Sequence, residues 1–259
     1  MIPLGRCAFV LLSLLLASCA RNVVIDKSSG QEVVKTSSSF DPKQLAKSDI
    51  DRVADTFRRE LFGNIRVLAE KLYRRNPREW KKGGYRSREV ALDKLLDPRT
   101  GWRSASLRGK RGTDAILLSL QVDFTGDRVA AFINGLGGML NAAFDNKTEF
   151  FMFDNLDAQL FYNSARNVEI AAWKLSNARD AAGNLLLVSN EINQPPLASN
   201  LSMEREFGKM VGHLDLITIL LADRSKRNIS RVVQSITTAV FLPVPGSCAT
   251  SQFHTPAAW

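Results

Sequence analysis

The chain has 259 residues and a net charge of +9. A chain of this length makes one large domain or two small ones. It buries roughly 70–75% of its unfolded surface, so no metal or disulfide is needed for it to fold. The charge is uneven. Fourteen basic residues and only four acids lie between Lys71 and Arg111, a surplus larger than that of the whole chain, so the remainder is close to neutral.

In chain order, the first feature is Arg6 followed by the apolar run Ala8 to Leu16 and the small residues Ala17 and Ser18 before Cys19. The run is within the length of an export-signal core and short of the roughly 20 apolar residues a bilayer span requires. An ordinary cleaved signal with a chance cysteine, or a buried helix, are the other readings. Leu16-Ala17-Ser18-Cys19 resembles the lipobox of bacterial lipoproteins. That resemblance covers residues 1–19 alone and implies cleavage after Ser18 and acylation of Cys19 on sulfur and nitrogen. Two acyl chains hold a protein stably on a membrane where one is marginal. In enterobacterial lipoproteins an Asp directly after the cysteine favours the inner membrane. Ala20 stands there in this chain, which implies the outer membrane. The expected address is therefore the bacterial envelope, and an exported protein is not expected to meet nucleic acid. With Cys7 in the signal and Cys19 acylated, Cys248 stands alone, so no intramolecular disulfide framework is expected.

Residues 19–47 read as the lipidated cysteine and a flexible tether, since Ser28-Ser29-Gly30 and Thr36-Ser37-Ser38-Ser39 offer little to bury. A short strand at Val23, Val24 and Ile25 is the alternative. Ser48 then opens a capping box. Ile50, Val53, Phe57, Leu61, Ile65, Leu68 and Leu72 form one helical stripe, ended by Asn76-Pro77. Short helices follow at 78–82 and 88–96, then a basic stretch broken by Asp97-Pro98, Gly101, Gly109 and Gly112. Thr113 or Asp114 caps a helix from Ala115 to about Phe124, and Asp127 caps another to Phe144. Asp154 caps a long helix marked by Leu156, Leu160, Ser164, Val168, Ala171 and Leu175. Residues 185–192 make a short helix or strand. Ser202 caps a helix carrying Met203, Phe207, Met210, Leu214, Ile217 and Leu221. A last helix starts at Asn228 with Ile229, Val232, Val233, Ile236 and Val240 inward. Residues 244–259 form a tail. Amphipathic helices without alternating strands predict an all-α, single helical-bundle-like domain over 48–243 behind the tether.

The basic stretch is the best candidate surface. Lys81, Lys82, Arg86, Arg88, Arg108, Lys110 and Arg111 are expected to contact anionic lipid, lipopolysaccharide or an acidic envelope protein. Tyr73, Trp80, Tyr85 and Trp102 interleave them as interfacial rings, or else pack on the core of a merely solvated face. Phe150, Phe151 and Phe153, with Phe144, Phe161 and Tyr162, either line an apolar pocket or fill the core. Gly135-Leu136-Gly137-Gly138 lacks the lysine and hydroxyl ending of a phosphate loop. With Ala131 it reads as a small-residue surface for close helix packing, the alternative being a hairpin inserted in lipid. The two histidines, His213 and His254, sit in no metal or catalytic motif. The expectation is a lipid-anchored binding or scaffolding protein with no catalysis, no cofactor and no metal. The alternative is a carrier of an apolar ligand, and the third reading an envelope hydrolase.

Overall fold

The computed structural model describes residues 49–150, 156–190, 199–225 and 229–245, together with the backbone pairs Val24–Ile25 and Glu32–Val33. Cys19, Cys248, His254, Phe151 and Phe153 lie outside the described residues, as do the signal and most of the tether. The chain divides into residues 1–47 and 48–259. In the first unit, β1 (Val24–Ile25) pairs antiparallel with β2 (Glu32–Val33), Val24 opposite Val33. The short strand given as the alternative at Val23, Val24 and Ile25 is present at Val24 and Ile25. Three of the four paired residues are β-branched, a type that suits a strand.

The second unit is all-α. Its helices are α1 (Asp49–Arg75), α2 (Pro77–Lys82), α3 (Arg88–Leu95), α4 (Gly112–Ser119), α5 (Arg128–Ala143), α6 (Ala158–Asn177) and α7 (Ser202–Ser225). Two short 3-10 turns, Pro98–Thr100 and Ala105–Leu107, interrupt the basic stretch. The four long helices close a ring: α1 packs on α7, α7 on α6, α6 on α5 and α5 on α1. The stripe expected on α1 fills its centre, with Leu61, Ile65, Leu68 and Leu72 wholly buried. Burying each such side chain is worth roughly 1.5–3 kcal/mol.

Capping sets the helix starts. Asp127 accepts the Ala130 amide at 2.8 Å and opens α5 where the sequence places it. Asp157, not Asp154, opens α6 by accepting the Gln159 amide at 2.9 Å. Neither Thr113 nor Asp114 caps α4. The helix starts earlier, at Gly112, its N-cap Arg111 makes no side-chain cap, and it ends at Ser119 rather than Phe124.

Thirteen of the sixteen residues of α5 are buried, which places this hairpin arm inside the protein core rather than in lipid. Among the described residues no helix is long and apolar enough to cross a membrane. The glycines of α5 explain its fit. A Cβ at Gly135 would lie 2.7 Å from the Ile116 amide and 2.8 Å from the Gly112 carbonyl, so only glycine lets α4 approach this closely. A Cβ at Gly137 would lie 2.2 Å from the indole of Trp102, whose ring occupies that notch.

The last expected helix is absent. Residues 229–245 form an irregular strap, and Val233, expected inward, is 98% exposed. Two causes act together. The segment is rich in β-branched residues, which are weak helix formers. Its backbone groups are also satisfied by a row of amides on α6. Gln159 bonds both the amide and the carbonyl of Ser230. Asn163 donates to the Pro243 carbonyl at 2.9 Å. Asn167 donates to the Leu242 carbonyl at 2.8 Å and accepts the Leu242 amide at 2.6 Å. Residues 185–190 likewise lack a helix. Leu185 makes an isolated bridge to Arg179, and the Asn76 side chain holds Val188 by its amide and carbonyl.

Candidate anion-binding site

The basic stretch divides by what each cation meets. Lys71 is structural, donating to Glu206 at 2.8 Å and to the Ser202 carbonyl at 2.9 Å. Lys82 pairs with Glu79 at 2.7 Å and Arg88 with Glu89 at 2.7 Å. Lys81 lies 5.5 Å from the centre of the Trp80 ring. Lys81, Arg86, Arg108, Lys110 and Arg111 are exposed, and none forms an ion pair among the described residues. The interleaved aromatics turn toward the core, with Trp80, Tyr85 and Trp102 partly exposed. Tyr73 is wholly buried, and Trp80, Tyr85 and Trp102 pack against the core, so the sequence reading that placed these rings at the core holds.

Beneath α2 lies a buried polar knot. The Tyr73 hydroxyl donates to Asp127 at 2.7 Å, and Glu79 accepts the Arg128 backbone amide at 2.8 Å. The Arg128 guanidinium lies over the Phe124 ring and donates to the Ser119, Gln121 and Val122 carbonyls, closing the end of α4. Burial, and then the Asp127 carboxylate, push the Tyr73 hydroxyl far above the ordinary tyrosine range. Burial likewise raises the Asp127 carboxyl, against the bonds it accepts from Ala130 and Tyr73.

Of the Phe cluster, Phe144, Phe150 and Phe161 are core. The wholly buried Phe150 ring packs 5.6 Å from Phe144, which meets Phe161 edge-on at 4.8 Å. Phe150 therefore fills core, and it is not among the described residues that line the cavity below. His213 stands edge-on to Phe57, and its neighbour Asp215 is held by Arg166 at 2.9 Å.

A cavity of about 610 Å³ opens elsewhere, between α1, the 96–103 turn, the start of α4, the end of α5 and Pro245 of the strap. Arg58, Arg66, Arg103 and Arg111 line it, and among the described residues none of its lining is acidic. Its apolar walls include Phe62, Leu96, Trp102 and Ala142. Arg58, Phe62 and Arg66 follow one another at four-residue spacing, which puts them on one face of α1. Trp102 stacks on Phe62 with ring centres 5.4 Å apart, and the Arg58 guanidinium lies 4.5 Å from the Phe62 centre. Arg58 donates one Nη to Asn141 at 3.1 Å, while its buried Nε has no partner. Burial lowers the Arg58 pKa and Asp55 partly offsets this, though arginine stays charged. Trp102 has a φ of 60°, a strained value for a bulky residue, held by the Gly137 notch and the Phe62 ring.

Of the cations singled out in the sequence, only Arg111 reaches this cavity. Arg58, Phe62 and Arg66 were not singled out, although their four-residue spacing beside the apolar stripe is a signal that could have found them. Searches against family models, curated proteins and solved structures find no match to this chain.

Proposed function

We propose that this chain is a lipid-anchored envelope protein that binds or scaffolds without catalysis, its basic segment 71–111 meeting an anionic surface or an acidic partner. The carrying observation is the set Lys81, Arg86, Arg108, Lys110 and Arg111, exposed and without ion pairs among the described residues. Each basic side chain close to an anionic membrane contributes about 1 kcal/mol, so a few such contacts hold an already tethered domain against its bilayer. Acylation of Cys19 supplies the tether in this reading. The carrier alternative loses support because Phe150 is spent in the core.

The test is crosslinking in intact cells followed by mass spectrometry, comparing wild type with the charge reversal of Lys81, Arg86, Arg108 and Lys110. The reversed chain is expected to lose anionic or acidic partners that wild type captures. An unchanged set overturns the basic-surface reading. Labelling with an alkyne palmitate checks Cys19 separately, with incorporation expected in wild type and lost in Cys19→Ala.

A further inference from the structure

We propose that the arginine-lined cavity is a binding site for an organic phosphate, its phosphoryl group held among Arg58, Arg66, Arg103 and Arg111 and its apolar body against Phe62 and Trp102. This deepens the reading above by naming a ligand class, and it rests on that reading for where the ligand is met.

Four observations converge. Four arginines line one concavity, and no acid is among its described lining residues, although Asp55 acts on Arg58 from outside that lining. Such a set repels itself when empty and suits a doubly charged oxyanion, whose geometry the arginine fork matches. Arg58 is fixed before any ligand arrives, with its face on Phe62, one Nη on Asn141 and its Nε unspent. A preorganised donor loses little entropy on binding. The volume of about 610 Å³ falls in the range of organic-ligand pockets, well beyond the needs of a bare inorganic ion. The walls are also part apolar. Phe62 and Trp102 are stacked and pinned by Gly137, so they offer a fixed surface to the ligand body. The phosphate ester can belong to a phospholipid headgroup or to a soluble metabolite. The recognition chemistry is shared.

The probe is phenyl phosphate, titrated calorimetrically into the full chain purified in detergent. The expected dissociation constant is below about 1 mM, with inorganic phosphate at least about fivefold weaker because it fills none of the apolar wall. Arg58→Gln is expected to weaken phenyl phosphate about tenfold, as loss of a charge-assisted donor does. Arg66→Gln with Arg103→Gln, both at exposed positions that leave the fold intact, is expected to do the same. Lys81→Gln with Arg86→Gln, outside the cavity, leaves the affinity unchanged. Absence of binding by folded wild type overturns the site. So does equal weakening by the Lys81 and Arg86 pair, or inorganic phosphate binding as tightly as the ester. Competition with phosphatidylcholine vesicles doped with phosphatidic acid names the source. Displacement assigns a lipid headgroup and no displacement assigns a soluble ester, and both support the site. If phenyl phosphate binds while the surface charge reversal leaves the cellular partners unchanged, the site stands and the basic-surface reading falls. The reverse pattern separates them the other way.

Discussion

Arg128 and Arg58 make an instructive pair. Both are partly or wholly withdrawn from water, both carry a phenyl ring against the guanidinium, and in both burial lowers the pKa. Arg128 spends its donors on three carbonyls at the end of α4. Arg58 spends one on Asn141 and keeps a buried Nε unspent beside a cavity with three more arginines. A withdrawn charge with its donors filled is a clamp. One whose donors are not all filled, on a side chain that lines open volume, suits a receptor. The difference lies in what stands opposite the side chain, and residue type alone does not show it.

The contrast predicts unequal costs. Arg128→Met takes the guanidinium from the buried Ser119 carbonyl and the part-buried Gln121 and Val122 carbonyls and is expected to lower stability by about 3 kcal/mol, read from urea unfolding. A loss near zero breaks the comparison. Gly135→Ala forces the α4 backbone away and is expected to cost about 2 kcal/mol, measured by the same unfolding curves. Tyr73→Phe strips a donor from buried Asp127 and is expected to cost about 1–2 kcal/mol near neutral pH. That gap depends on pH in a stated direction. Tyr73 keeps its proton in the folded chain where an unfolded tyrosine, with a pKa of 10.0, loses it. Its contribution is therefore intact below about pH 10 and declines as pH rises further, by about 1.4 kcal/mol per unit for one group. The advantage of wild type over Tyr73→Phe should shrink accordingly between pH 10 and 11.5. A constant gap means that the hydroxyl is not withdrawn as described. The smallest effect is that of Arg58→Gln without ligand, about 0.5 kcal/mol or less in either direction. A loss as large as that of Arg128→Met makes Arg58 a clamp as well.

Local chemistry made much of the bundle legible. The three- and four-residue spacing of Leu61, Ile65, Leu68 and Leu72 reports a buried helix face, and Asp127 is a cap whose reach extends only to Ala130. The strap was not legible. Ile229, Val232, Val233, Ile236 and Val240 keep helical spacing by coincidence, and the amides that hold the strap sit on α6, far away in sequence. The site was partly legible. Arg58, Phe62 and Arg66 are neighbours on one helix, but Trp102, Arg103, Arg111 and Pro245 join them only through tertiary packing. Trp102 also adopts a backbone conformation that its residue type disfavours, so no propensity points to it.

The row Gln159, Asn163 and Asn167 reaches beyond the segment it suspends. Pro245, on the rim of the cavity, follows directly from the residues those carboxamides grip. The hold on that rim thus comes from α6, through groups outside the described lining of the cavity. Exchanging Asn167 for an aliphatic residue would slacken the mouth of the cavity and speed both entry and escape, while every guanidinium stayed in place.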